Sequence, residues 1–128
     1  MKKIILALLL ALPITALTHE GHDAPTSVQS IHGGMALTGE ILNMEYVYSK
    51  GELKIYPRAH EGDDLKIADL KLTATLKKPR EKAAAAPLEF KDSYFSTKVD
   101  FGKAHRIEVQ TSVTYKNKTE KFTYQLEK

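Results

Sequence analysis

The chain reads as an all-β protein: an antiparallel, immunoglobulin-like β-sandwich of about seven strands, preceded by a signal peptide and a flexible His-rich arm. Three observations predict this. Apolar residues recur at every second position in almost every segment after Ile41. Turn signals interrupt those segments every 8 to 12 residues or so, and no stretch has convincing helical periodicity. One buried and one exposed face per strand suits two packed sheets, with a small closed barrel as the other architecture this alternation permits. The cysteine pair and core tryptophan of antibody domains are missing, so "immunoglobulin-like" describes architecture alone.

The N-terminus sets the compartment. Met1-Lys2-Lys3 precedes an apolar run from Ile4 to Leu12, then Pro13-Ile14-Thr15-Ala16, and polarity rises at His19. A basic start, a short apolar run and a small residue at the boundary make a secretory signal peptide over residues 1–16. The run is too short for a bilayer, which takes about 20 apolar residues, so no membrane span is expected after its removal. The expected location is the periplasm, as a soluble exported protein. There is no cysteine to pair or to carry a lipid.

Residues 17–34 form the arm. They hold His19, Glu20, Gly21, His22, Asp23 and His32 and little that can be buried. Residues 35–128 are the domain. Its central stretch is a hairpin in which Leu42, Met44, Tyr46 and Tyr48 face Leu53 and Ile55 across Ser49-Lys50-Gly51, giving strands over 41–48 and 52–57. Pro57 closes the second. After the polar loop 58–64, Leu70, Leu72, Ala74 and Leu76 alternate with Lys71, Thr73 and Thr75, a half-buried strand stopped by Lys77-Lys78-Pro79. Residues 80–86 lie between prolines and are expected to be a connection with one helical turn at most. Strands follow over 88–91 and 94–100, the latter with Phe95, Thr97, Val99 and Phe101 on one face. The last hairpin joins 105–115 to 119–126 through Asn117-Lys118.

Charge excludes a nucleic-acid binder. The formal charge of +3 includes Lys2 and Lys3, which leave with the signal, so 17 basic residues then face 16 acidic ones. The lysines form no arginine cluster and no aromatic RNA-binding motif. Enzyme chemistry lacks a constellation as well. Ser93, Ser96 and Ser112 sit in strand-like or polar stretches without a nucleophile elbow, and neither a phosphate loop nor a His-Glu-x-x-His helix occurs. The expectation is no catalysis.

Metal binding is the sharpest functional expectation. His19-Glu20-Gly21-His22-Asp23 puts two imidazoles and two carboxylates within five residues, a donor set suited to copper, nickel or zinc. Cleavage after Ala16 would leave Leu17-Thr18-His19 as the new terminus. Its amine, two amide nitrogens and the His19 ring can then surround Cu(II) or Ni(II) in a plane, whereas cleavage after Thr18 would destroy that set. His60-Glu61-Gly62 echoes the arm, and His60 would contribute if the arm folds back over the first hairpin. His60 to Asp64 also reads as a solvated turn, and its spacing matches no calcium loop. His32 and His105 are isolated in sequence.

His19-Glu20-Gly21-His22-Asp23, His32-Gly33-Gly34 and Gly51-Glu52-Leu53-Lys54-Ile55-Tyr56 followed by His60-Glu61-Gly62 carry a resemblance. The chain resembles small exported bacterial domains found near, or fused to, the periplasmic adaptors of heavy-metal efflux systems. The resemblance implies a periplasmic sandwich that binds or hands over a divalent or copper ion beside a transport complex. Those domains usually have a Gly-rich turn where this chain has Lys77-Lys78-Pro79-Arg80. The chain also lacks the methionine cluster of copper(I) handlers.

The resulting expectation is an exported protein binding Cu(II), Ni(II) or Zn(II) in homeostasis or efflux, with His19 and His22 as ligands. Glu20, Asp23 and His60 would contribute, and an efflux adaptor or other envelope protein would be the partner. The rival, from another class, is a metal-free structural or adaptor domain that pairs its edge strand with a partner, using the long C-terminal hairpin unless Lys116, Lys118 and Lys121 guard it.

Overall fold

The structure, a computed structural model, describes residues 28–128. Nine strands form two antiparallel sheets: β1 (Met35–Thr38), β2 (Asn43–Ser49), β3 (Glu52–Arg58), β4 (Lys71–Lys77), β5 (Ala84–Ala86), β6 (Glu89–Lys91), β7 (Tyr94–Lys98), β8 (Arg106–Tyr115) and β9 (Lys118–Glu127). One sheet runs β1-β2-β3-β7-β6 and the other β5-β4-β8-β9. Among the described residues each sheet has two unpaired margins, so they form no closed barrel and the architecture is a β-sandwich.

The core follows from the alternation. Leu42, Met44, Tyr46, Leu53 and Ile55 come from the first sheet, and Ala74, Ile107, Val109, Val113, Phe122 and Leu126 from the second; all are buried in one cluster. Tyr46 joins the layers. Its ring stacks on Tyr124 at 4.8 Å and its hydroxyl shares a 2.6 Å hydrogen bond with Thr111, the one polar side chain on the inner face of β8. Burial pushes the Tyr46 phenol well above its ordinary pKa, so it stays neutral and able to donate.

All seven expected strands are present, and two more join them. β1 is a four-residue edge strand, too short to show a period. β5 lies in the segment expected to be a connection. Arg80 takes a left-handed φ of 64°, the chain reverses, and Ala84–Ala86 pair with Leu76–Ala74. Pro87 favours this outcome, because the residue before a proline is pushed out of the helical region into the extended one. The C-terminal turn also shifts by one residue. Lys116 and Asn117, with φ of 46° and 64°, occupy the two left-handed positions, and Lys118 already pairs with Tyr115. Lys50-Gly51 builds the same two-residue turn in the first hairpin, with φ of 51° and 77°.

Candidate functional site

On β2 and β3 the residues between the core positions point outward. Asn43 stands opposite Arg58, Glu45 opposite Tyr56 and Val47 opposite Lys54, all on the outer face of the first sheet. Such a face should be wet, yet Glu45 is fully buried. The cover is the stretch from Gln29 to Gly34, which crosses the sheet and delivers its donors to one carboxylate. Glu45 Oε1 accepts from Ser30 Oγ at 2.6 Å, from the His32 N–H at 2.7 Å and from the Gly34 N–H at 3.3 Å. Oε2 accepts from the Ile31 N–H at 3.2 Å and meets His32 Nδ1 at 3.0 Å, with Arg58 Nη1 at 3.6 Å.

These contacts decide the protonation state of Glu45. Burial by itself would push the carboxyl pKa up; the bonds from Ser30, from the His32 ring and from the His32 and Ile31 amides overcome it and hold the group at about 2. Glu45 is therefore an ionised acceptor in a site made of donors.

The crossing stretch is fitted to the sheet at both ends. Upstream, the Arg58 guanidinium donates to the Gln29 carbonyl at 2.8 Å. Downstream, Gly34 lies so close to β2 that a Cβ would run into the Tyr46 carbonyl, and the preceding Gly33 has a left-handed φ of 81°. Between them the His32 ring lies flat on Tyr56, with centroids 3.8 Å apart and planes 11° from parallel. Tyr56 in turn leans on Tyr94 at 5.1 Å, and the Lys54 ammonium sits 5.3 Å above Tyr94. The clamp thus continues into an aromatic row along the outer face.

Of the expected ligands, His19, Glu20, His22 and Asp23 lie outside the described residues, as does the signal peptide over 1–16. The described end of the arm is not free: residues 29–34 are bound to the sheet. His60 follows β3 in the loop expected for it, half-buried, and its carbonyl accepts the Asp63 N–H at 3.0 Å around Gly62. His105 stands at the far end of the sandwich, where its carbonyl accepts the Lys128 N–H. Residues 63–65 adjoin Tyr115 and Lys118, whereas His105 precedes β8 at its other end. The ten residues of β8, on the order of 30 Å of strand, separate the two neighbourhoods, so His60 and His105 cannot share an ion. Among the described residues no three His, Asp or Glu side chains stand close enough to hold a metal by themselves.

The sequence hid Glu45 because a single glutamate on the polar side of an alternating strand reads as solvated. His32 looked isolated for a related reason, since its partner is 13 residues away on another element. The only sequence signal was the pair of glycines after His32, which allows the backbone to approach β2. Among the described residues no helix is long and apolar enough to cross a membrane. Compared with known proteins, the chain matches no family model, no curated protein and no solved structure.

Proposed function

We propose that this is an exported periplasmic protein that binds a transition metal ion, Cu(II), Ni(II) or Zn(II), through its N-terminal histidine arm, in metal homeostasis or efflux. His19 and His22 are the primary ligands, with Glu20, Asp23 and His60 contributing. The observation that carries this reading is the anchorage of the arm's root at Arg58, two residues before His60. Asp23 is six residues upstream of Gln29, within ~20 Å of it along even a fully extended chain, so the His19–Asp23 group has the reach to meet His60. Charge supports the same end of the molecule. Glu40, Asp63 and Asp64 line one groove there against Lys116 and Lys118, a slight acidic excess, whereas Lys78, Arg80, Lys103 and Arg106 outnumber Glu81 at the other end, so the end beside the arm is the less repulsive one for a cation.

Native mass spectrometry of the exported chain, titrated with each ion, tests the reading. One ion per chain in the unmodified protein, lost in the His19→Ala/His22→Ala double variant, supports it. Equal uptake by the double variant, or none by either chain, overturns it. A start at Leu17 in the same spectra would establish the planar N-terminal nitrogen set.

A specific observation favours the second reading, a metal-free adaptor that captures an extended segment of an envelope protein. β9 is ten residues long and, among the described residues, pairs only with β8. The two-residue turn fixes which groups are free: Lys118, Glu120, Phe122, Tyr124 and Leu126 bond back to β8, so Thr119, Lys121, Thr123, Gln125 and Glu127 turn their backbone N–H and C=O outward. Lys121 is the only lysine among those five. A partner that survives His19→Ala/His22→Ala but is lost when Thr123→Pro removes an outward N–H would favour this reading; retention in Thr123→Pro would exclude the edge.

A further inference from the structure

Among the described residues no strand pairs with the outward margin of β9, and the sequence along that margin, residues 120–128, complements itself when read backwards. Set a second copy of the strand antiparallel alongside, with Tyr124 opposite Tyr124. Lys121 then meets Glu127, Thr123 meets Gln125, Phe122 meets Leu126 and Glu120 meets Lys128, and the two-fold symmetry makes each pairing occur twice. Lys121, Thr123, Gln125 and Glu127 are the residues whose backbone groups point away from β8, so in this register they bond one another across the junction. The neighbouring registers lose the match. Centring on Thr123 sets Lys121 against Gln125 and Lys118 against Lys128, and centring on Phe122 sets Lys121 against Thr123.

A lysine on an edge strand ordinarily guards it against pairing. Against a second copy in this register the guard becomes a contact, because Lys121 faces a carboxylate. Both Lys121 and Glu127 are exposed on the outer face of the sheet, whereas Glu120 already accepts from the Glu40 and Ile41 N–H groups of its own chain. Recognition therefore falls mainly on the Lys121–Glu127 pairs. On the inner face Met35, 47% exposed, lines a hollow at the same margin with Tyr124 and Leu126, which leaves apolar surface for a neighbouring copy to cover. We infer that β9 is a dimerisation edge: two copies of this chain join β9 to β9 about Tyr124 and merge their four-stranded sheets into one continuous sheet. The inference rests on the second reading above, in which β9 is a pairing edge, and names its partner as a second copy; it is independent of the metal reading.

The test is sedimentation velocity of the exported chain over a rising concentration series, with a chelator present so that bridging ions play no part. The unmodified chain should pass from monomer to dimer. Lys121→Glu alone sets like charges against each other at both ends of the junction, as does Glu127→Lys alone, and each should weaken self-association about tenfold or more. The double variant Lys121→Glu/Glu127→Lys restores opposite charges and should dimerise again. An equimolar mixture of the two single variants should form a mixed dimer, since each then offers what the other lacks. That rescue separates a lost contact from a damaged fold, and it occurs only in the register centred on Tyr124. A chain that stays monomeric up to millimolar concentration, a dimer indifferent to both single reversals, or a failure of both the double variant and the mixture to dimerise would overturn the assignment. If the unmodified chain is monomeric while an envelope partner is lost in Thr123→Pro, the edge reading stands and only this inference fails; if Thr123→Pro keeps both the partner and the dimer, both fail.

Discussion

Glu45 and Tyr46 are neighbours on β2, both fully buried, each holding a hydrogen-bond network, and they point in opposite directions. Tyr46 enters the sandwich and binds two sheets through Thr111 and Tyr124. Glu45 faces outward and is buried only because a short length of backbone lies over it. The first network is made by residues that must be inside for the domain to fold. The second fastens a segment that the domain does not need as core, and fastens it through charge. Burial in one place therefore carries architecture and in the other attachment, and the two should respond differently to mutation and to pH.

The largest separation is expected from truncating each residue. Tyr46→Ala removes a core aromatic and should cost about 3–5 kcal/mol of global stability in urea unfolding. Glu45→Ala should cost less globally, about 1–3 kcal/mol, while releasing the backbone over it. Equal global losses would mean that the crossing stretch is part of the cooperative core.

Acid should open the second network first. The Glu45 carboxyl lies at about 2 when clamped and near 4.5 when released, so the clamp is fully favoured above about 4.5 and loses its advantage as pH falls toward 2. A difference of this size is worth about 3 kcal/mol at 1.36 kcal/mol per unit. Amide signals of Ile31, His32 and Gly34 followed by NMR through that window should change before those of β8. Simultaneous loss would contradict the distinction.

A smaller and more local effect is expected at Gly34. Gly34→Ala drives a methyl into the Tyr46 carbonyl and should displace the crossing stretch while leaving the strand amides of β4, β8 and β9 in place. The smallest belongs to Arg58. Its guanidinium stands 3.6 Å from Glu45 and is partly exposed, so Arg58→Met should cost less than about 1 kcal/mol in the same urea assay, chiefly through the Gln29 bond.

The same contrast explains what was legible in the sequence. Inner faces announce themselves, since burying Leu42, Met44, Tyr46, Leu53 and Ile55 requires apolar residues at every second position, and the strands follow from that period. Ala84–Ala86 escaped because three alanines have no alternation to read; their extended form comes from Pro87 and from the open margin of β4. Glu45 escaped because an outward glutamate looks the same whether water or backbone covers it. The ligands expected in the arm, His19, Glu20, His22 and Asp23, fall outside the described residues. His60 stays where the sequence put it, in a turn, and the structure adds that the arm's root comes down two residues before it.

The most direct test of the Glu45 clamp is hydrogen exchange at the Ile31, His32 and Gly34 amides in the unmodified chain and in Glu45→Ala, near neutral pH. The account predicts measurable protection in the unmodified chain, lost in the variant, with exchange in β2, β4 and β8 little changed. Unprotected amides in the unmodified chain, or protection that survives removal of the carboxylate, would contradict it.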